Sequence, residues 1–195
     1  RLDDRQYAER RQLELAGHRT GTVVKVDRKV RNNRPPPLYD LTSLQRDANR
    51  RFGFTAAQTL KHAQALYEQH KLITYPRTES RHISEDMVPR LPEILEQIPH
   101  PQAAAALARL RGGLRLSKAY VDRTKLTDHH AILPTGKRPS PQLARPLASV
   151  FGLVVARFVA VFLPDEVVEE TAVELDIGGA TFVARGFSSR PKELT

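Results

Sequence analysis

The 195-residue chain contains no cysteine and no tryptophan, a single methionine, and only 6% aromatic residues. Without cysteine there is no disulfide, no thiolate metal site and no cysteine nucleophile, and the composition fits a reducing compartment. With no tryptophan and few other rings, a base-stacking platform of the single-strand-binding type is disfavoured. No apolar run approaches the roughly 20 residues that a membrane-spanning helix needs, and Arg1 to Arg11 is charged and polar, unlike a signal peptide. No three ligand-type side chains stand at metal-motif spacing, so no metal site is expected within this chain. The chain begins at Arg1 rather than Met, and its last residues, Ser188 to Thr195, form a polar run with no helix or strand expected to close it. Both ends read as those of a piece excised from a longer polypeptide.

What is present is positive charge and enough apolar material for a core. Lys and Arg number 31 against 22 Asp and Glu, a formal charge of +9 with a pI near 10.2, and 40% of residues are apolar. Such a balance favours a polyanionic partner such as nucleic acid, although charge alone does not choose it. Gly21 to Val30 places Val23, Val24, Val26 and Val30 among charges, as in a half-exposed strand. Pro35 to Pro37 lack N–H donors and should form an extended connector, which puts a domain boundary near Asp40. From Thr42 the pattern is helical through Leu44, Ala48 and Phe52, with Gly53 as a left-handed stop. Thr55 can cap a second helix whose inner stripe is Leu60, Ala63 and Tyr67, followed by a short β-like run, Leu72 to Tyr75. Helix, tight turn, helix, strand is the order found in winged-helix modules.

Ser84 can cap a third helix that carries Val88, Leu91, Ile94, Leu95 and Ile98, and Ala103 to Leu110 predicts another. Leu116 to Pro139 reads as a long irregular segment, a feature that is usually functional or disordered inside a compact domain. Pro141 to Phe162 carries the widest apolar face and predicts a core helix. Val167 to Ile177 alternates, Gly178-Gly179 supplies a hairpin turn, and Ala180 to Arg185 returns as a strand. With β character at both ends, the expected architecture is α+β. A mostly helical, winged-helix-like domain (residues 41–165) is inserted into a β domain built from residues 1–40 and 166–195.

The densest chemical cluster is Ile73-Thr74-Tyr75-Pro76-Arg77-Thr78-Glu79-Ser80-Arg81. A tyrosine that attacks a phosphodiester must lose its proton, and the ordinary phenol pKa of about 10 requires surroundings that stabilise the phenolate. The permanently charged guanidinium of Arg77 could orient the phosphate and offset charge during displacement. On composition alone, a Tyr beside an Arg on a loop is more often packing plus a solvated cation. A second cluster, Thr127-Asp128-His129-His130-Ala131-Ile132-Leu133-Pro134-Thr135, carries paired histidines. Adjacent histidines seldom point at one ion, which leaves a phosphate-binding imidazole as the functional alternative to an ordinary packed one. Arg46, Arg50 and Arg51 on the first predicted helix form either a solvated face or a DNA-backbone track.

Together these motifs resemble the type IA DNA topoisomerases, and topoisomerase III in detail. The run from Pro36 to Gln45, then Ala48-Asn49-Arg50-Arg51-Phe52-Gly53, then Thr59 to Thr78, is similar to that family's active-site region, and His129 to Thr135 to its later histidine motif. The resemblance implies that Tyr75 is the nucleophile that becomes linked to a 5′ phosphate. It makes Arg77 and His129 its catalytic partners, with Arg46, Arg50, Arg51, Thr78, Ser80 and Arg81 along the DNA. It also implies a β arch carrying the tyrosine domain, hinges near Pro35 to Asp40 and Phe162 to Asp165, and Mg2+ bound by a Toprim domain that nothing before Thr20 resembles. The implied partners are single-stranded DNA, the Toprim-bearing remainder of the polypeptide, a RecQ-family helicase and a single-stranded-DNA-binding protein. The implied setting is a bacterial cytoplasm, associated with the nucleoid. The piece alone should cleave negligibly. Glu79 departs from the family's usual Asp and should tune rather than abolish activity. Two rival readings are a non-catalytic winged-helix DNA-binding module and a tyrosine recombinase. The second is disfavoured because a recombinase's catalytic His and Arg residues precede its Tyr, whereas His129 follows Tyr75.

Overall fold

A computed structural model describes residues 4–126 and 128–191. The chain divides into two compact units, one from Arg1–Arg34 and Pro164–Thr195, the other from Pro35–Leu163. The crossing falls at Pro35 rather than Asp40, because Leu38, Tyr39 and Asp40 are 2%, 2% and 8% exposed. All three are buried, and Asp40 caps the first helix of the second unit.

The first unit opens with α1 (Arg5–Leu15), an element that the polar N-terminal sequence does not suggest. It buries no side chain. Asp4 Oδ1 caps it by accepting from Gln6 N at 2.9 Å, and Arg5–Glu9 and Arg11–Glu14 pairs brace it, so local hydrogen bonds stand in for an apolar stripe. Three antiparallel strands follow, β1 (Thr22–Asn33), β2 (Glu166–Ile177) and β3 (Ala180–Pro191), in the order β1-β2-β3. The two ends of the chain therefore share one sheet. Val26 stands opposite Val173, which stands opposite Ala184. Gly178 and Gly179, at φ 59° and 75°, make the hairpin turn, which needs left-handed backbone at both positions. Two strands outrun the sequence expectation. β1 continues past Arg31 to Asn33, and β3 continues past Arg185 through Ser188 and Ser189 to Pro191. Their polar residues are held by main-chain pairing to β2, which hydropathy does not report. Lys192 to Thr195 lie outside the described residues.

The second unit begins with α2 (Leu41–Phe52) and α3 (Ala56–Glu68). Asp40 Oδ1 accepts from Ser43 N at 2.6 Å to start α2, and Gly53 ends it at φ 70°. Thr55 and Gln58 form a reciprocal capping box on α3. The buried stripe of α3 is Thr59, Ala63 and Leu66, one position away from the expected Leu60 and Tyr67, which leaves Tyr67 facing a pocket. Where a Ser84-capped helix was expected, a 3-10 turn (Glu85–Arg90) precedes α4 (Leu91–Gln97). Pro89 lacks the N–H that an α-helix would use there. α5 (Ala103–Arg111) follows, then a long irregular stretch broken only by a 3-10 turn at Arg123–Lys125. The last helix, α6 (Arg145–Ala160), starts four residues later than Pro141, which lies in a turn. Val150, Val154, Phe158 and Phe162 form a buried cluster with Leu44, Ala48, Ala63 and Leu66, so α6 packs on α2 and α3. No β-hairpin wing follows α3 among the described residues. The segment after it makes isolated bridges to remote positions instead, Ile73 to Pro134 and, nearby, Tyr39 to Ile132.

A charged network ties the entry of the chain to this core. Asp47, 6% exposed, accepts from Tyr39 Oη at 2.6 Å and Arg157 Nη2 at 2.5 Å through Oδ2, and from Arg50 Nη2 at 2.8 Å through Oδ1. Arg157 also donates to Pro37 O at 3.0 Å and lies 4.2 Å from the centre of the Tyr39 ring. Burial, with the hydrogen bond to Asp47, pushes the Tyr39 phenol up to about 12. Breaking a buried pair strands the surviving charge. Asp47→Ala is therefore expected to lower unfolding free energy by about 3–5 kcal/mol, against about 1 kcal/mol for Tyr39→Phe. Urea denaturation reads both, and equal losses would mean that the ion pair does not anchor this unit.

Candidate active site

Tyr75 owes its position to a stitch between two distant segments. After α3, Lys71 turns the chain at φ 58°, and Leu72 N donates back to Leu66 O at 2.9 Å. Thr74 N then donates to Leu133 O at 2.9 Å, Leu133 N donates to Thr74 Oγ1 at 2.9 Å, and Thr74 Oγ1 donates to Ala131 O at 3.1 Å. On either side, Thr135 N donates to Leu72 O at 3.0 Å and Ala131 N to His82 O at 2.9 Å. Ile73, Ala131, Ile132 and Leu133 are at most 1% exposed and flank the stitch, while Thr74 itself is half-buried and borders a pocket.

This brings the two sequence clusters together. The His129 ring lies 4.4 Å from that of Tyr75 at 46°, and Tyr67 meets Tyr75 edge-on at 5.5 Å and 79°. Tyr75 is half-buried beside a pocket of about 530 Å3, whose walls include Tyr67, Met87, Ile94, His129 and Pro134. Lys71, which also lines this pocket, places Nζ over the Tyr67 ring, 5.5 Å from its centre. Arg77 is exposed, and with the Gln64 amide oxygen turned toward it, that oxygen accepts from Nη2 at 3.0 Å and Nε at 3.2 Å. One side of the guanidinium fork is thereby held, while Nη1 has no partner among the described residues. Thr127 lies outside the described residues.

The residues expected along the DNA separate into two groups. Arg46 and Arg51 are exposed and form no ion pair among the described residues. Arg50 is exposed but donates to Asp47, so it shares its charge with the core network. Thr78 and Ser80, 4% and 3% exposed, face inward: Ser80 N donates to Thr78 Oγ1 at 3.1 Å and Ser80 Oγ to His82 O at 3.4 Å. They build a turn and do not present hydroxyls to a ligand. Arg81 Nε donates to Asp40 Oδ2 at 2.7 Å, so its charge is directed to the cap of α2. Burial alone would raise the Asp40 carboxyl, but the hydrogen bonds from Ser43 and Arg81 outweigh it and hold it below the usual range. Gln64 and Tyr67 also border this site, although Tyr67 was expected on the inner stripe of its helix and Gln64 was given no contact. Helical periodicity carries a signal for them, since each directly follows a member of the buried stripe of α3, Ala63 and Leu66.

Comparison with known proteins bears on what this geometry serves. A family model described as DNA topoisomerase matches residues 1–190. The chain is 44% identical over 178 residues to DNA topoisomerase 3 of Bacillus licheniformis, covering 89% of this chain and 24% of that protein. It is 43% identical over 169 residues to DNA topoisomerase 3 of Bacillus subtilis, covering 84% and 23%. The chain thus spans about a quarter of the length of these curated relatives. Full-length topoisomerase I from Thermotoga maritima shares the fold, with a TM-score of 0.62 and 20% identity, over 98% of this chain and 31% of that one.

Two outcomes test the local structure. Thr74→Val leaves Leu133 N and Ala131 O without their shared partner and is expected to cost about 1–3 kcal/mol. It should also shift the His129 ring resonances in NMR spectra, whereas an unshifted ring would mean that the stitch does not place it. Because the Asp40 carboxyl is lowered on folding, its contribution is present above the unfolded pKa of about 3.9 and is lost as pH falls through the folded value. The stability difference between wild type and Asp40→Asn should therefore shrink on acidification below that pH, as thermal melts would show.

Proposed function

This chain belongs to the DNA topoisomerase family, in its type IA branch, and on that premise we propose that it supplies the nucleophile for reversible cleavage of single-stranded DNA. The Tyr75 oxygen forms a bond to the scissile phosphorus, the bond from phosphorus to the 3′ oxygen breaks, the phenol proton leaves, and the 3′ oxygen takes up a proton. One phosphodiester replaces another, so the 3′ hydroxyl can reverse the attack without ATP once a second strand has passed. The observation that carries this reading is the 4.4 Å approach of His129 to Tyr75, two side chains far apart in sequence and joined by the Thr74 stitch.

Each neighbour has a role that its geometry supports. His129 offers an imidazole N–H to a non-bridging oxygen of the phosphate beside Tyr75. Arg77, gripped by Gln64, presents Nη1 to the same phosphate in one orientation, which lowers the cost of ordering it when DNA arrives. Arg46 and Arg51 follow the backbone of the strand as screened, sequence-independent contacts. The magnesium that the family implies finds no ligand set here: no group of three or more His, Asp or Glu side chains converges among the described residues. The hinges for strand passage fall where the chain crosses between units, at Pro35 and Pro164.

The test mixes this chain with a separately prepared Toprim domain, magnesium and labelled single-stranded DNA. Wild type is expected to form a 5′-phosphotyrosyl adduct and Tyr75→Phe none, with His129→Ala slower by about 100-fold. An adduct that survives Tyr75→Phe, or none at all although the two parts associate, would overturn the assignment.

A further inference from the structure

Lys71 is the one residue other than glycine with a positive φ among the described residues, at 58°. Left-handed backbone suits glycine or asparagine, so a long side chain there is retained against a cost, and its use lies beyond the turn itself. The turn is fixed without that side chain. Leu72 N donates to Leu66 O at 2.9 Å, His70 N to Ala65 O at 3.2 Å, and Thr135 Oγ1 to the Lys71 carbonyl at 2.7 Å. What the lysine adds is its ammonium, which forms no ion pair among the described residues and stands over the Tyr67 ring, 5.5 Å from its centre. Tyr67 in turn meets Tyr75 edge-on at 5.5 Å, and Tyr75 meets His129 at 4.4 Å. The strained residue thus begins a chain of contacts that ends on both members of the site.

Tyr75 needs such a hold. Its hydroxyl has no hydrogen-bond partner among the described residues, and a pocket of about 530 Å3 opens beside it. A phenol with that room can settle in other rotamers that turn its oxygen away from a phosphate, and misplacing a reacting group by about 1 Å can cost about 100-fold in rate. Of the two rings against it, His129 serves the phosphate, which leaves Tyr67 to hold the phenol. The backbone of Tyr67 is set by the core, since Leu66 beside it is fully buried. Its half-buried side chain, on the pocket wall, is the part that gains order from the ammonium.

We propose that Tyr67 is a positioning residue for the Tyr75 nucleophile, kept in place by the Lys71 ammonium over its ring; this rests on the reading of Tyr75 given above. Flanked by Tyr67 and His129, the phenol is limited in its swing into the pocket, and attack starts from an ordered ring. Neither Tyr67 nor Lys71 needs to touch the DNA for this. Their loss is therefore felt in the rate of attack and not in the affinity for the strand.

Adduct formation at saturating single-stranded DNA, with the Toprim domain and magnesium present, tests the pair, alongside DNA affinity from fluorescence anisotropy. Tyr67→Leu is expected to slow the adduct by about tenfold or more with affinity within about twofold of wild type. Tyr67→Phe, which keeps the ring, should retain the rate. Lys71→Asn suits left-handed backbone and should leave the thermal midpoint unchanged or raised. It should still slow the adduct by about two- to fivefold, the worth of a cation over an exposed ring, and Lys71→Arg should retain the rate. The lysine variants decide the matter where Tyr67→Leu disturbs packing. A wild-type rate in Tyr67→Leu or Lys71→Asn, a loss that Tyr67→Phe shares, or a loss confined to DNA affinity would overturn the positioning role and leave Tyr75 as the nucleophile. If the wild-type chain forms no adduct, both fall.

Discussion

Thr74 spends its backbone N–H and its hydroxyl on the same remote segment, residues 131–133, and the geometry around Tyr75 depends on that double engagement. A single strand bridge would fix a distance but leave the segments free to pivot. Adding the hydroxyl, which both accepts and donates, fixes their relative rotation as well, and Thr135 repeats the arrangement one step outward with its N–H and Oγ1 on Leu72 and Lys71 carbonyls. The rings of Tyr75 and His129 meet next to this stitched pair. Burial of the intervening Ile73, Ile132 and Leu133 limits the access of water to the main-chain bonds between them.

A second constraint decides which positive charges are available to a ligand. The chain has a large excess of Arg and Lys, yet several arginines near the site already serve the fold. Arg157 and Arg50 satisfy buried Asp47, and Arg81 satisfies Asp40 at the cap of α2. These pairs let two carboxylates sit near the core, where either would be costly alone. Arg46, Arg51 and Arg123 are left without ion pairs among the described residues, and Arg77 is held by a neutral amide that does not cancel its charge. Near the site, the unneutralised guanidinium groups therefore include Arg46, Arg51, Arg77 and Arg123, but not Arg50, Arg81 or Arg157.

The paired histidines show how one motif can serve two places. His129 turns to Tyr75, whereas His130 turns to Ser84, so adjacent side chains on one irregular segment face different partners. Adjacent histidines on such a segment cannot readily share a ligand.

Much of the architecture was legible in the residues themselves. Asp40, Gly53, Thr55 and the Gly178-Gly179 turn act locally, through caps and left-handed backbone, so their chemistry can be read without knowing what lies nearby. Apolar periodicity likewise marked α6 and the alternating β2. The motifs around Tyr75 and His129 marked the site and its family, because the type and order of reactive side chains are properties of sequence. What only the tertiary structure decided was direction and partnership. Thr78, Ser80 and Arg81 stand in the same motif as Tyr75 yet turn to the interior or to Asp40, and Gln64 acquires Arg77 across a helix boundary. β1 and β3 run on through polar residues because β2 supplies main-chain partners to both. Hydropathy records the preference of a side chain for water, while hydrogen bonding between distant segments depends on where the rest of the chain has already placed its donors and acceptors.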